Sequence, residues 1–129
     1  MKKIVAFLLI FIIAFSFVGC GKYPSKYFAV GLVTTNTSRS VQMSFFSFEG
    51  TRTFTMKCGS DHKLEYSAKL ESGSSTVYYD QNGTKTELFS IGAGDEVSSS
   101  INLDAGTVYI IIETSEKCQN GSFRFDTNG

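Results

Sequence analysis

Apolar and polar residues alternate with a period of two along most of the chain. The cleanest case is His62 to Leu70, where Leu64, Tyr66, Ala68 and Leu70 fall on one face and Lys63, Glu65, Ser67 and Lys69 on the other. Successive strand side chains point to opposite sides, so this pattern predicts a strand with one face buried. Similar runs cover Tyr27 to Thr34, Val41 to Phe48, Thr51 to Cys58, Ser75 to Asp80, Thr84 to Ile91, Glu96 to Leu103, Thr107 to Thr114 and Gly121 to Asp126. Gly, Asn, Asp and Ser separate them at intervals of about ten residues, the spacing of an all-β sandwich. The expectation is a single antiparallel β-sandwich of eight to nine short strands with almost no helix.

Two runs depart from simple alternation. Thr107 to Glu113 is apolar on both parities, which predicts a central strand covered on both faces. In Val41 to Phe48 the apolar parity changes between Phe45 and Phe46, which predicts a bulge or a strand crossing there. Asn82-Gly83 and Asn120-Gly121 predict tight hairpin turns, since both residue types tolerate the positive φ of a type I′ turn.

The first twenty residues read differently. Lys2 and Lys3 precede a fifteen-residue apolar stretch, Ile4 to Val18, interrupted only by Ser16. A spanning helix needs about twenty apolar residues, so this length predicts a cleaved export signal. The segment ends in Phe17-Val18-Gly19-Cys20, which resembles the lipobox of bacterial lipoproteins. The resemblance implies a diacylglyceryl group on the Cys20 thiol and cleavage just before it. Two acyl chains hold a protein on a bilayer where one binds only marginally. The organisation expected is therefore a signal peptide over 1–19, a lipidated tether over 20–26 and a sandwich over 27–129, anchored on the extracytoplasmic face of a cell membrane.

Composition narrows the function. The chain has 129 residues with 12 basic and 12 acidic side chains; without Lys2 and Lys3 the remainder carries 10 basic and 12 acidic. A slightly acidic domain offers no basic face for nucleic acid. One histidine and three cysteines leave little from which to assemble a catalytic triad or a closed zinc site, and no phosphate loop or nucleophile elbow occurs. The expectation is a non-enzymatic module without cofactor.

Phe54-Thr55-Met56-Lys57-Cys58-Gly59, the segment Gly73 to Gly83, Gly106 followed by Tyr109, Ile111 and Glu113, and Asn120 to Phe125 together resemble small extracytoplasmic sandwich modules. These include pre-peptidase C-terminal domains, GOLD-like domains and lipoproteins of Gram-positive bacteria. The resemblance covers about seventy residues and implies a jelly-roll-like fold with an accessory or interaction role. It assigns no binding residue.

Individual side chains add a few candidates. Cys58 and Cys118, sixty positions apart, make an even count in an exported chain, which points to a disulfide; closing such a loop is worth roughly 4 kcal/mol in the chain-entropy model. Two buried free thiols are the other reading. His62 with Asp61 and Glu65 does not reach the three or four convergent ligands zinc needs, and Asp80 to Gly83 with Glu87 reads as a hairpin turn, so no metal site is expected. Tyr78 and Tyr79 are adjacent on a strand, so one ring must leave the core, and an outward tyrosine can stack on a sugar or anchor a protein. The two functions that follow are an envelope-associated interaction module with a protein partner and a carbohydrate-binding module for a surface glycan.

Overall fold

The computed structural model describes Tyr23, residues 25–59 and residues 62–127. The residues expected to form an export signal, Cys20 and Asp61 lie outside them. Seven strands and no helix occur among the described residues: β1 (Lys26–Val30), β2 (Val33–Asn36), β3 (Ser40–Cys58), β4 (Lys63–Asp80), β5 (Thr86–Ile91), β6 (Glu96–Asn102) and β7 (Gly106–Asp126).

All seven form one antiparallel sheet with the central order β1-β3-β7-β4-β5, β2 adding to β3 and β6 to β4. Three strands are far longer than the mean strand of five or six residues, because each fuses two of the expected short ones. The fusion points are bulges. Register shifts fall between Phe48 and Thr51 on β3 and around Ser72 to Ser75 on β4. The chain bends there without losing its partner; with three such fusions and the expected run Tyr27 to Thr34 divided into β1 and β2, seven strands stand where nine were expected.

The bends fold the sheet over on itself. A nineteen-residue strand would span roughly 60 Å if straight, yet Lys57 N–H donates to Ser38 C=O at 2.8 Å, so the far end of β3 returns to its own beginning. Thr127 completes this seam, with its N–H on Arg39 C=O at 2.8 Å and its hydroxyl on Lys57 C=O at 2.5 Å. Layer one therefore consists of β2, the first half of β3, the second half of β7, the first half of β4 and β6. Layer two consists of the second half of β3, the first half of β7, the second half of β4 and β5, with β1 bordering the bend of β3.

The buried residues between the layers change parity at the bend, as folding requires. Val41, Met43 and Phe45 face inward before it, and Phe54, Met56 and Cys58 after it. Phe89 of β5 crosses the gap to stack on Tyr66 at 5.0 Å and to lie 6.4 and 6.5 Å from Phe123 and Phe125 of the opposite layer. Glycine is required at one of the corners. Gly73 has φ +96°, and a Cβ there would lie 2.7 Å from Cys118 Cα, where β4 and β7 nearly touch.

Four expectations need correction. The parity change lies at Ser47-Phe48, two residues later than the hydrophobic pattern suggests: Ser47 is buried and Phe46 faces out. Asn120-Gly121 is no hairpin turn but the interior of β7, where Asn120 at φ +49° opposes Glu71. Asn82-Gly83 does turn the chain, through a five-residue connection over 81–85 in which Asp80 Oδ1 accepts Gly83 N–H at 2.7 Å. Cys58 and Cys118 are both free and buried. Cys118 pairs with Phe48 at the bend while Cys58 pairs with Gly106 at the open end. At about 3.3 Å per residue, ten residues of β3 separate the two positions, whereas a disulfide needs Cα atoms within about 7 Å.

The central position of β7 is as the apolar run predicts. Ile110 and Ile112 fill the core, and Ile111, on the opposite parity, is equally buried outside the main cluster.

Candidate functional site

The outward face of layer one is a polar surface whose side chains line up in rows, because the four pairings that join its five strands share a continuous register. One row runs Val33, Ser44, Ser122, Lys69, Glu96; the next runs Thr35, Gln42, Arg124, Ser67, Ser98. The rows line a groove of about 480 Å³. A second hollow of about 350 Å³ shares Ser67, Ser98 and Arg124 and continues to Ser99, Ser100, Glu65 and Asp126, so the two make one hydroxyl-lined trough.

Arg124 sits near its middle. Its Nε donates to Asp126 Oδ2 at 2.7 Å, an exposed i,i+2 pair that contributes little stability but fixes the plane of the guanidinium. Lys69 lies opposite Glu96 in register. Its cations are thus balanced by neighbouring carboxylates, so the trough has hydrogen-bonding capacity without a strong field of either sign.

One row beyond Ser44 stands Phe46, between the pairs Phe45–Gly121 and Ser47–Gln119. Its ring is 57% exposed. Gly31 on the neighbouring edge has φ +64°, and a Cβ there would come within 3.2 Å of Phe46 Cβ. Across the same row Asn120 Nδ2 donates to Glu71 Oε1 at 3.2 Å. An uncovered aromatic face, an amide-carboxylate pair and a line of hydroxyls therefore share one side of the sheet.

Tyr78 and Tyr79 lie elsewhere and on opposite faces. Tyr78 is on the outward side of layer two with the Lys85 ammonium 4.5 Å from its ring centre, and Lys85 also pairs with Glu113 at 2.6 Å. Tyr79 leans on the core and borders a cleft of about 440 Å³ with Gln81, Asn82, Thr86 and Asp104. They form no joint stacking platform.

The outward face of layer two is covered rather than open. Tyr23 donates its hydroxyl to Asp80 Oδ2 at 2.5 Å and meets Tyr109 edge-on at 5.8 Å. Ser25 Oγ accepts Thr53 N–H at 2.8 Å. The chain expected to be a tether is thus partly seated on the sheet. The hydrogen bond to Asp80 pushes the Tyr23 phenol up to about 12, with loss of water and the Asp80 charge acting the same way. Burial pushes the Cys118 thiol up to about 11, opposed by a hydrogen bond with the Ser74 backbone and reinforced by Glu116.

His62 lies in the turn before β4 at φ +54°, its N–H on Gly59 C=O at 3.0 Å. Among the described residues no three His, Cys, Asp or Glu side chains converge as metal ligands.

No family model and no curated protein matches the chain. Solved structures are similar in outline only. A TmCBM61 module in complex with beta-1,4-galactotriose has 11% identity, TM-score 0.43, and the match covers 87% of this chain and 90% of that one. A cupin superfamily protein from Desulfitobacterium hafniense has 10% identity and TM-score 0.37 over 81% and 78%. A family 29 carbohydrate-binding module has 11% identity and TM-score 0.38 over 84% and 77%.

Proposed function

We propose that this protein is a lipid-anchored, non-enzymatic binding module that holds an uncharged saccharide in the trough of layer one. The observation that carries the reading is Phe46, an aromatic ring left exposed on the same sheet face as the rows of hydroxyl, amide and guanidinium groups. Sugars present an apolar C–H face beside a rim of hydroxyls. A ring that stacks on the first and neighbours that hydrogen-bond the second are the complementary surface. Charge balance around Arg124 and Lys69 favours a neutral glycan over a sulfated or uronic one.

The anchor is the second half of the proposal and rests on sequence. Lys2, Lys3, the apolar run to Val18 and Gly19-Cys20 support export, cleavage and acylation of Cys20, which would tie the module to the outer side of a membrane.

A glycan array probed with the mature chain tests the first half. Binding should fall about two- to thirteenfold in Phe46→Ala, the loss of an aromatic contact worth roughly 0.5–1.5 kcal/mol, and stay unchanged in Tyr78→Ala. Binding indifferent to Phe46, or absent from every neutral glycan, would sink it. Mass spectrometry of the native N-terminal peptide tests the second half: the expected species begins at Cys20 and carries the diacylglyceryl mass.

A further inference from the structure

Large exposed apolar side chains are not scattered over the described residues. Tyr27, Phe28, Val30, Val33 and Phe46 all lie on β1, β2 and the part of β3 they pair with. Val33 lines the trough, and Phe46 stands one row beyond it on the same face. Tyr27 stacks on Phe48 at 5.4 Å and takes Arg52 against its ring and hydroxyl. That leaves Phe28, at 76% the most exposed of the set, and Val30 at 51%. They alternate with inward-leaning Ala29 on a border strand, so they share one side with Lys26. Across from them stand Thr51, Glu49 and Ser47.

We propose that this Lys26-Phe28-Val30 face of β1 is a contact strip for a bilayer surface. Two apolar side chains beside a lysine on one face have the chemistry of an interfacial anchor, in which rings enter below the headgroups while the ammonium stays among them. Position in the chain selects this occupant. Phe28 lies eight residues after Cys20, and the seating of Tyr23 and Ser25 shortens the free reach further. The inference rests on the Cys20 anchor for bringing the strip to the bilayer; the strip then supplies a second attachment and restricts how the domain turns on its lipid.

The chain has no tryptophan, so a single introduced one is a clean reporter. Mature acylated protein carrying Phe28→Trp or Val30→Trp, in vesicles of phosphatidylcholine and phosphatidylglycerol with brominated acyl chains, should show blue-shifted emission and loss of intensity to bromine. Ser98→Trp, held by the same lipid but in the trough, should keep its aqueous emission. Lys26→Glu in the Phe28→Trp background should restore intensity. Emission from Phe28→Trp that ignores bromine overturns the proposal. So does a blue shift that appears without vesicles and grows with protein concentration, which would assign the strip to a second copy of the chain. If the N-terminal mass shows no acylation, the anchor reading fails separately; wild-type chain that then still sediments with the same vesicles, where Phe28→Glu does not, supports the strip, and equal failure of both overturns it.

Discussion

On layer one, β3, β7 and β4 turn outward Gln42, Ser44, Ser122, Arg124 and Lys69, all open to solvent, and half-buried Ser67; on layer two the same three strands turn outward Thr53, Ile111 and Tyr78, with Ile111 fully buried. The backbone is shared, so hydrogen-bonding architecture does not explain the contrast. What differs is cover. Tyr23 and Ser25 are pinned across the second face, and Lys85 lies over Tyr78, whereas nothing of the described chain crosses the first. A sheet face that stays uncovered and polar is free for a ligand, while one that carries a buried isoleucine has already been committed to stability.

That contrast can be broken in several places. The largest effect should come from Phe89→Ala, which removes the ring joining both layers and should cost about 3–5 kcal/mol, read as a lowered denaturant midpoint. Next, Ile111→Ala should cost about 2–5 kcal/mol although it lies outside the main core, while Ser122→Ala on the corresponding strand of the open face should stay within about 0.5 kcal/mol. Equal costs at these two positions would erase the distinction between the faces.

Smaller effects sharpen the picture. The Tyr23 phenol is raised from 10 to about 12, so its contribution is fully present below pH 10 and is lost as pH climbs through about 12. Alkaline absorbance titration should show one late-ionising tyrosine that disappears in Tyr23→Phe; a titration identical in both proteins would mean the phenol does not hold the cover down. Smallest of all, adding reductant should leave the unfolding midpoint unchanged. Cys58 and Cys118 should both react with a thiol reagent in denaturant, and Cys118 only slowly in the native protein because little of it is thiolate at neutral pH. A native disulfide mass would contradict the register that separates them.

Local alternation makes much of the sandwich legible from sequence, down to the doubly covered run at Thr107 to Glu113. It misleads where chemistry and direction part company. Ser47 turns in and Phe46 turns out, so a reader of hydrophobicity places the bend two residues early and loses the aromatic of the site. Glu49-Gly50 looks like a strand end because parity slips there, yet a bulge slips parity while pairing continues; Asn120-Gly121 looks like a hairpin turn because both residue types tolerate positive φ, yet Asn120 takes that φ inside β7. The trough is harder still. Ser44, Ser122, Ser67 and Ser98 are ordinary outward residues of four different strands, and only a register between strands distant in sequence brings them into rows. The separation of the two thiols is hidden for the same reason.

The central strand of the sheet, β7, is also the last of the seven along the chain. β3 and β4 do not pair with each other; each waits for β7 to fill the space between them. A nascent polypeptide lacking that segment has hairpins but no closed sheet, and such long-range closure is slow. Closure of the sheet therefore waits on β7, and a chain with β3 and β4 already made stays loose until that strand arrives between them.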